Sequence, residues 1–328
     1  MIHSMNVAEV CNQIIGGDIV ALSKAITLTE STKPEHQQTA LEILDYCQPH
    51  SGKSIRIAIT GVPGVGKSTF INQFGNLLIE EYGKKVAVLA IDPSSRNSHG
   101  SILGDKTRMT ELSAQKNAFI RPSANGETLG GVASKTQDAI VICEAAGFDV
   151  LLVETVGVGQ SETMVHNMVD FFLLLLLPGA GDDLQGIKRG IVEMADLIAI
   201  NKSEENQILA AEALKHYQNA LMFMPQHRQN YQPKVLLTDA ISGKNLETIW
   251  DEIQQYVMLA TENGTFQKNR QKQAVAQFKM QLGEVFNMIL FQNEKVKIKY
   301  NQLSNSVLEG KISPKTAAVQ LVKSMLVG

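Results

Sequence analysis

From Ile55 onward the chain alternates between two textures. Short apolar runs, IRIAIT (55–60), VAVLAI (86–91), FIRP (119–122), DVLLVE (149–154), DFFLLLLLP (170–178), DLIAINK (196–202) and KVLLTD (234–239), are separated by stretches of helical pattern. Several of these runs lack polar alternation, as expected of strands covered on both faces. Strand–helix alternation of this kind predicts an α/β domain, a mostly parallel sheet with helices on both sides. The helix that carries Trp250 is expected to close it.

The two flanks read differently. Residues 1–50 look helical, with Val20, Leu22, Ala25, Ile26 and Leu28 in one patterned stretch and Leu41, Ile43 and Leu44 in another. Pro34, after Ser31-Thr32, is expected to open the second of these helices. A polar stretch, Thr261 to Asn269, reads as a linker into the C-terminal part. There Val275, Phe278, Leu282, Val285 and Ile289 recur at spacings of 3, 4, 3 and 4. That is a narrow stripe suited to helix–helix packing. Ser313-Pro314 supplies an N-cap and first helical residue for a last helix through Ala317, Leu321 and Met325. The expected parts are an N-terminal extension, 1–50, a sheet domain, 51–262, and a helical arm, 263–328.

Composition narrows the class. The 328 residues are 44% hydrophobic and 19% charged, which excludes a disordered chain. A formal charge of -3 gives no whole-chain case for nucleic-acid binding. Charge is nevertheless uneven, because residues 263–328 carry ten Lys/Arg against three Asp/Glu. Cys11, Cys47 and Cys143 are far apart in sequence and form no CxxC pair, which fits a reducing compartment. Met1 to Ala21 contains no Lys or Arg and so resembles neither a signal nor a transit peptide. The longest apolar run, Phe171 to Leu177, is about a third of what a bilayer requires. A cytoplasmic protein without membrane or nucleic-acid partners is expected.

The candidate chemistry begins at the first strand. Gly61-Val62-Pro63-Gly64-Val65-Gly66-Lys67-Ser68 matches GxxxxGK[ST] and is followed from Thr69 by a helical pattern. Strand before and helix after is the context in which this motif cradles phosphates. Glycines let backbone N–H groups turn toward an anion, and the helix N-terminus favours negative charge. Lys67 would reach the terminal phosphates and Ser68 would ligate Mg²⁺. Three carboxylates could meet that metal: Asp92 and Glu154 at strand ends, and Asp105 in the glycine-containing loop that runs to Arg108. Asn201-Lys202-Ser203-Glu204 follows a strand and resembles the guanine-reading NKxD of GTPases. A carboxylate there accepts from guanine N1–H and its exocyclic amine, a donor pair adenine lacks. Asp239-Ala240-Ile241, after the last strand, would form a second base-side loop.

GVPGVGKST (61–69), AIDPSS (90–95), SHGSILGDKTRM (98–109), FIRPSANGETLGG (119–131), ETVGVGQSE (154–162), PGAGDDLQGIKRGI (178–191) and NKSE (201–204) resemble the MeaB/ArgK family of SIMIBI-type P-loop GTPases. The resemblance runs over nearly the whole chain and includes the human methylmalonic aciduria type A protein among its relatives. It implies a homodimeric GTPase that binds GTP/GDP and Mg²⁺. It also implies a chaperone role toward an adenosylcobalamin-dependent acyl-CoA mutase, most often methylmalonyl-CoA mutase. On that pattern Lys67, Asp92, Asp105 and Glu154 are the catalytic and magnesium-side residues, and residues 263–328 are a dimerisation arm. Arg108, Asp182, Gln185 and Lys188 are the switch residues that couple nucleotide state to the partner. Two departures stand out: Glu204 replaces the usual Asp, and Asp239 stands where relatives usually carry Ser. After Gly157 comes Val158, which cannot orient water, so slow basal hydrolysis is expected. The alternatives are a kinase linked to basic amino-acid transport and a nickel metallochaperone GTPase.

Overall fold

The computed structural model describes residues 6–31, 33–91, 109–122, 129–155, 161–179, 189–223 and 231–326. Its first elements are three helices, α1 (Val7–Ile15), α2 (Ile19–Thr29) and α3 (Pro34–Cys47). Asn6 and Asp18 cap the first two through their side chains. Pro34 opens α3, the third helix rather than the second. Cys11, Ile14, Leu22, Ala25, Ile26, Ile43 and Cys47 form its inner faces, whereas Val20 and Leu41 lie outward. Burial raises the thiol pKa values of Cys11 and Cys47, the latter to about 12.

Each apolar run then becomes a strand of the sheet. Its strands are β1 (Ile55–Gly61), β2 (Val86–Ile91), β3 (Ala118–Arg121), β4 (Val150–Thr155), β5 (Phe171–Leu176), β6 (Leu197–Ile200) and β7 (Lys234–Leu237). All pair in parallel, in the order β3-β2-β4-β1-β5-β6-β7. Every residue of β2, β4, β5 and β6 is buried, which explains the absence of polar alternation. Edge strands β3 and β7 are only partly covered. Between strands run α4 (Lys67–Glu80), α5 (Thr110–Ala114), α6 (Leu129–Ala145), α7 (Ser161–His166), α8 (Arg189–Met194) and α9 (Gln207–Met222), with α10 (Leu246–Glu262) after β7. The core between the sheet and α4 with α10 includes Phe70, Phe74, Leu78, Ile249, Trp250 and Ile253. Phe70 stacks on Phe74 at 5.3 Å between centroids, and Trp250 meets Phe74 edge-on at 6.3 Å. The N-terminal helices pack on α6.

A buried ion cluster closes the amino ends of the central strands. Arg56, in β1, donates from Nε and its guanidinium to Glu144 of α6, both at 2.8 Å. Asp170, just before β5, accepts from the Arg56 backbone N–H at 2.8 Å. Arg270 reaches both carboxylates and donates to the Ser54 carbonyl at 2.9 Å. Burial pushes the Glu144 carboxyl pKa up, but Arg56, Arg270 and Ser54 overcome it and hold it below the usual range.

Arg270 belongs to α11 (Thr265–Gln292), so the polar stretch 261–269 is largely helix rather than linker. The chain divides into two compact units, Met1–Gln273 and Ala274–Gly328. The second contains the rest of α11, α12 (Glu294–Leu308) and α13 (Pro314–Leu326). Ser313 caps α13 as its sequence predicts, accepting from the Thr316 N–H at 3.1 Å. Within this unit Leu290, Val296, Leu303 and Ala317 are buried. Among the described residues no helix is long and apolar enough to cross a membrane.

Candidate nucleotide site

The central position of β1 places the loop Gly61–Gly66 at the carboxyl ends of the strands, where the strand order reverses. Two of its three glycines are dictated by contact. A Cβ on Gly61 would lie 2.4 Å from the Leu175 carbonyl oxygen of β5, so no side chain fits there. Gly66 has φ 93°, and a Cβ there would meet Asn201 Nδ2 at 2.8 Å. Val65 is buried under the loop, while Pro63 and Gly64 are exposed above it. Helix α4 starts directly at Lys67 with a glycine at its N-cap, so no side chain caps its first-turn N–H groups. Uncapped backbone donors at a helix N-terminus favour an anion. Thr69 is exposed in that first turn.

Lys67 folds back over the loop. Its ammonium donates to the Gly61 carbonyl at 2.8 Å and the Val62 carbonyl at 3.3 Å. Burial pulls its pKa below the ordinary lysine value, with the Glu154 carboxylate acting the other way. Ser68 Oγ donates to Glu154 Oε1 at 3.2 Å, joining the start of α4 to the end of β4. Glu154 is buried, at 6% exposure. A hydroxyl and a carboxylate meeting beside a phosphate loop are hard oxygen donors, a set that fits Mg²⁺. Asp92, Asp105 and Arg108, and likewise Asp182, Gln185 and Lys188, lie outside the described residues.

The base side is tied to the phosphate side through one amide. Asn201, at the end of β6, donates from Nδ2 to the Val65 carbonyl at 2.8 Å and accepts on Oδ1 from the Ala240 N–H at 3.0 Å. It therefore joins three loops and is itself 1% exposed. Lys202 follows in a left-handed conformation, φ 57°, uncommon outside glycine and tolerated where surroundings impose it. Glu204 and Ile241 are exposed beside it. Asp239, expected in the second base-side loop, holds the two turns together. Its carboxylate accepts from Ile241 N–H at 3.0 Å, Ser242 N–H at 3.2 Å and Glu204 N–H at 3.4 Å.

One supporting device was not read from the sequence. Asn72, on α4, accepts from the Leu112 N–H at 3.0 Å and donates to Glu111 at 2.8 Å. Gly75, one turn on, packs against the Leu112 side chain. Together they fasten α5, the first described element after Asp105 and Arg108, onto the phosphate-loop helix. Two asparagines four residues apart on one helix, Asn72 and Asn76, were the available signal, and both prove buried.

Comparison with known proteins agrees with this geometry. Residues 22–295 match the family model described as "Methylmalonyl Co-A mutase-associated GTPase MeaB". A putative GTPase of Caulobacter vibrioides is 50% identical over 264 residues, covering 80% of this chain and 81% of its own. GTPase ArgK of Escherichia coli is 44% identical over 322 residues, covering 98% and 97%. The mouse methylmalonic aciduria type A homolog, a mitochondrial protein, is 40% identical, covering 95% and 77%. A solved structure described as LAO/AO transport system kinase superposes with TM-score 0.75 at 37% identity, covering 99% of each chain. With the phosphate loop, the parallel sheet around it and this match over most of its length, the chain belongs to the MeaB family of P-loop GTPases.

Proposed function

We propose that this protein binds and hydrolyses GTP in order to chaperone an adenosylcobalamin-dependent acyl-CoA mutase, with methylmalonyl-CoA mutase the first candidate. It would gate loading of the mutase cofactor and guard the loaded enzyme. The observation that carries the nucleotide half is the Asn201 amide, bonded at once to Val65 of the phosphate loop and Ala240 of the base-side loop. A nucleotide spanning those loops meets one prearranged surface. The mutase half rests on the family description and on the name of the mouse relative.

Lys67 would exchange the Gly61 and Val62 carbonyls for the β- and γ-phosphates, its charge then compensated rather than merely buried. Ser68 and Glu154 would hold Mg²⁺, which would supply positive charge against the negative charge of the phosphates. Asp92 and Asp105 are the further carboxylates of this reading. Asp182, Gln185, Lys188 and Arg108 would report nucleotide state to the mutase. The C-terminal arm would make a homodimer, a reading that the exposure of part of its apolar stripe supports. Val275, Phe278, Leu282 and Val285 are 43–65% exposed in the single chain.

Single-turnover hydrolysis of GTP with and without purified mutase tests the reading. A slow basal rate that rises with the mutase is expected; a fast rate indifferent to it defeats the chaperone role. The name of the similar solved structure favours a kinase instead, and preference for ATP over GTP would support that reading. Deleting 274–328, which leaves Arg270 in place, should give a monomeric GTP-binding unit by light scattering. A dimer that survives the deletion removes the arm from the proposal.

A further inference from the structure

The two departures from the family pattern, Glu204 and Asp239, adjoin in the structure, and a third residue joins them. Lys244 Nζ lies 3.6 Å from Glu204 Oε1, with both side chains partly exposed. The backbone of Lys244 is firmly placed. Its carbonyl accepts from Thr238 Oγ1 at 2.7 Å and from the Asp239 N–H at 3.3 Å, forming an isolated bridge with Asp239. Asn245 follows in a left-handed turn and donates from Nδ2 to the Leu237 carbonyl at 2.8 Å. Asp239 is 5% exposed, and its carboxylate accepts from the backbone N–H of Glu204 itself. Two carboxylates thus occupy adjoining turns, and the Lys244 ammonium, held on the second turn, faces the outer one.

Glutamate has one more rotor than aspartate. Ordering that rotor when a base binds opposes affinity, and a partner that restricts it beforehand removes part of the opposition. An ionised carboxylate has about four lone-pair sites, enough for an ammonium and two base donors together. We propose that Lys244 is a positioning residue for base recognition. Its ammonium steadies the Glu204 carboxylate at the base edge and offsets the charge of Asp239, so the Lys244–Glu204 pair sets selectivity for guanine over a base without the exocyclic amine. The inference rests on the reading of this site as a guanine nucleotide site and adds its selectivity device.

The test compares GDP, inosine diphosphate and ADP by calorimetry on the full chain with Mg²⁺. Wild type should prefer GDP over inosine diphosphate by about tenfold or more, the worth of a hydrogen bond to a charged acceptor. Lys244→Met should weaken GDP by about three- to fivefold, the range of an exposed ion pair, shrink the GDP/inosine diphosphate ratio and leave ADP unchanged. Lys244→Arg should keep the ratio, and in the Glu204→Asp background Lys244→Met should have no effect on it. A ratio unmoved by Lys244→Met, in a chain that still tells GDP from inosine diphosphate, overturns the proposal and leaves the guanine site standing. So does an equal loss for all three nucleotides, which marks a merely structural residue. Wild type that binds GDP no better than ADP removes the guanine reading itself, and this inference with it.

Discussion

At the amino ends of β1 and β5, the buried Glu144, Arg56 and Asp170 and the mostly covered Arg270 are joined by direct bonds. At the carboxyl ends of the same sheet, Lys67 leans on two carbonyls of its own loop, and Lys244 and Glu204 meet through a half-exposed pair. Both ends concentrate charge. At the first, each charge is satisfied within the fold, so the cluster fixes where α6 and α11 join the sheet. At the second, Lys67 holds a provisional partner that an anion can replace. A buried pair broken by removing one member leaves an uncompensated charge, whereas a cation resting on carbonyls loses little. The contrast therefore predicts stability at one end and binding at the other.

The strongest break of that contrast is Glu144→Ala. Two guanidiniums would lose a buried partner, and urea unfolding should show a loss of about 3–5 kcal/mol. Nucleotide affinity of the folded fraction should stay as it was. Lys67→Ala should do the reverse. Affinity for GTP by calorimetry should fall roughly 100-fold, about 2.7 kcal/mol, because charge-assisted phosphate contacts vanish. Thermal stability without nucleotide should not drop, since burial already disfavours this charge. Asn201→Ala should cost both, about 1–3 kcal/mol each, by orphaning the Val65 carbonyl and the Ala240 N–H. If stability falls while affinity holds, the amide is scaffold alone.

Acid titration sharpens the comparison further. The folded Glu144 pKa lies below its ordinary value of 4.5. Its contribution is therefore full above that value and is lost as pH falls through the folded pKa. Below pH 4.5, wild type should lose stability more steeply than Glu144→Gln, by up to about 1.4 kcal/mol per pH unit for one proton. The smallest effect is expected from Lys234→Gln. Lys234 starts β7 and pairs with Glu252 at 2.7 Å, but it is 46% exposed. A change under about 1 kcal/mol in urea would show that burial, not the amino-end position, gives the cluster its weight.

The sheet was legible because β2, β4, β5 and β6 are covered on both faces, and short uninterrupted apolar runs alternating with helical patterns mark such strands. The phosphate loop was legible because GxxxxGK[ST] between a strand and a helix is a short contiguous pattern, although the contacts its glycines answer, with Leu175 and Asn201, are remote in sequence. What escaped depends on partners far away in sequence. Arg270 reads as one more charge in a basic, polar stretch until Asp170, a hundred residues earlier, comes beside it. Asp239 reads as a departure until Glu204 N–H and Ser242 N–H turn toward it. The stretch read as a linker has a local origin instead, since Asn263-Gly264 interrupts the helix for only two residues before α11 begins.

The strand order has a consequence for the newborn chain. β1 sits between β4 and β5, with Ile55 beside Val150 and Ile57 beside Phe171. The strand that leads into the phosphate loop therefore leaves the ribosome long before either neighbour exists. At roughly 5–20 residues per second, about 5–20 s pass before β4 has been made. Through that interval an apolar strand with two open edges must be kept from other chains. Translation rate and holdase supply between residues 61 and 155 should then govern the soluble yield of this protein more than the stability of its finished fold.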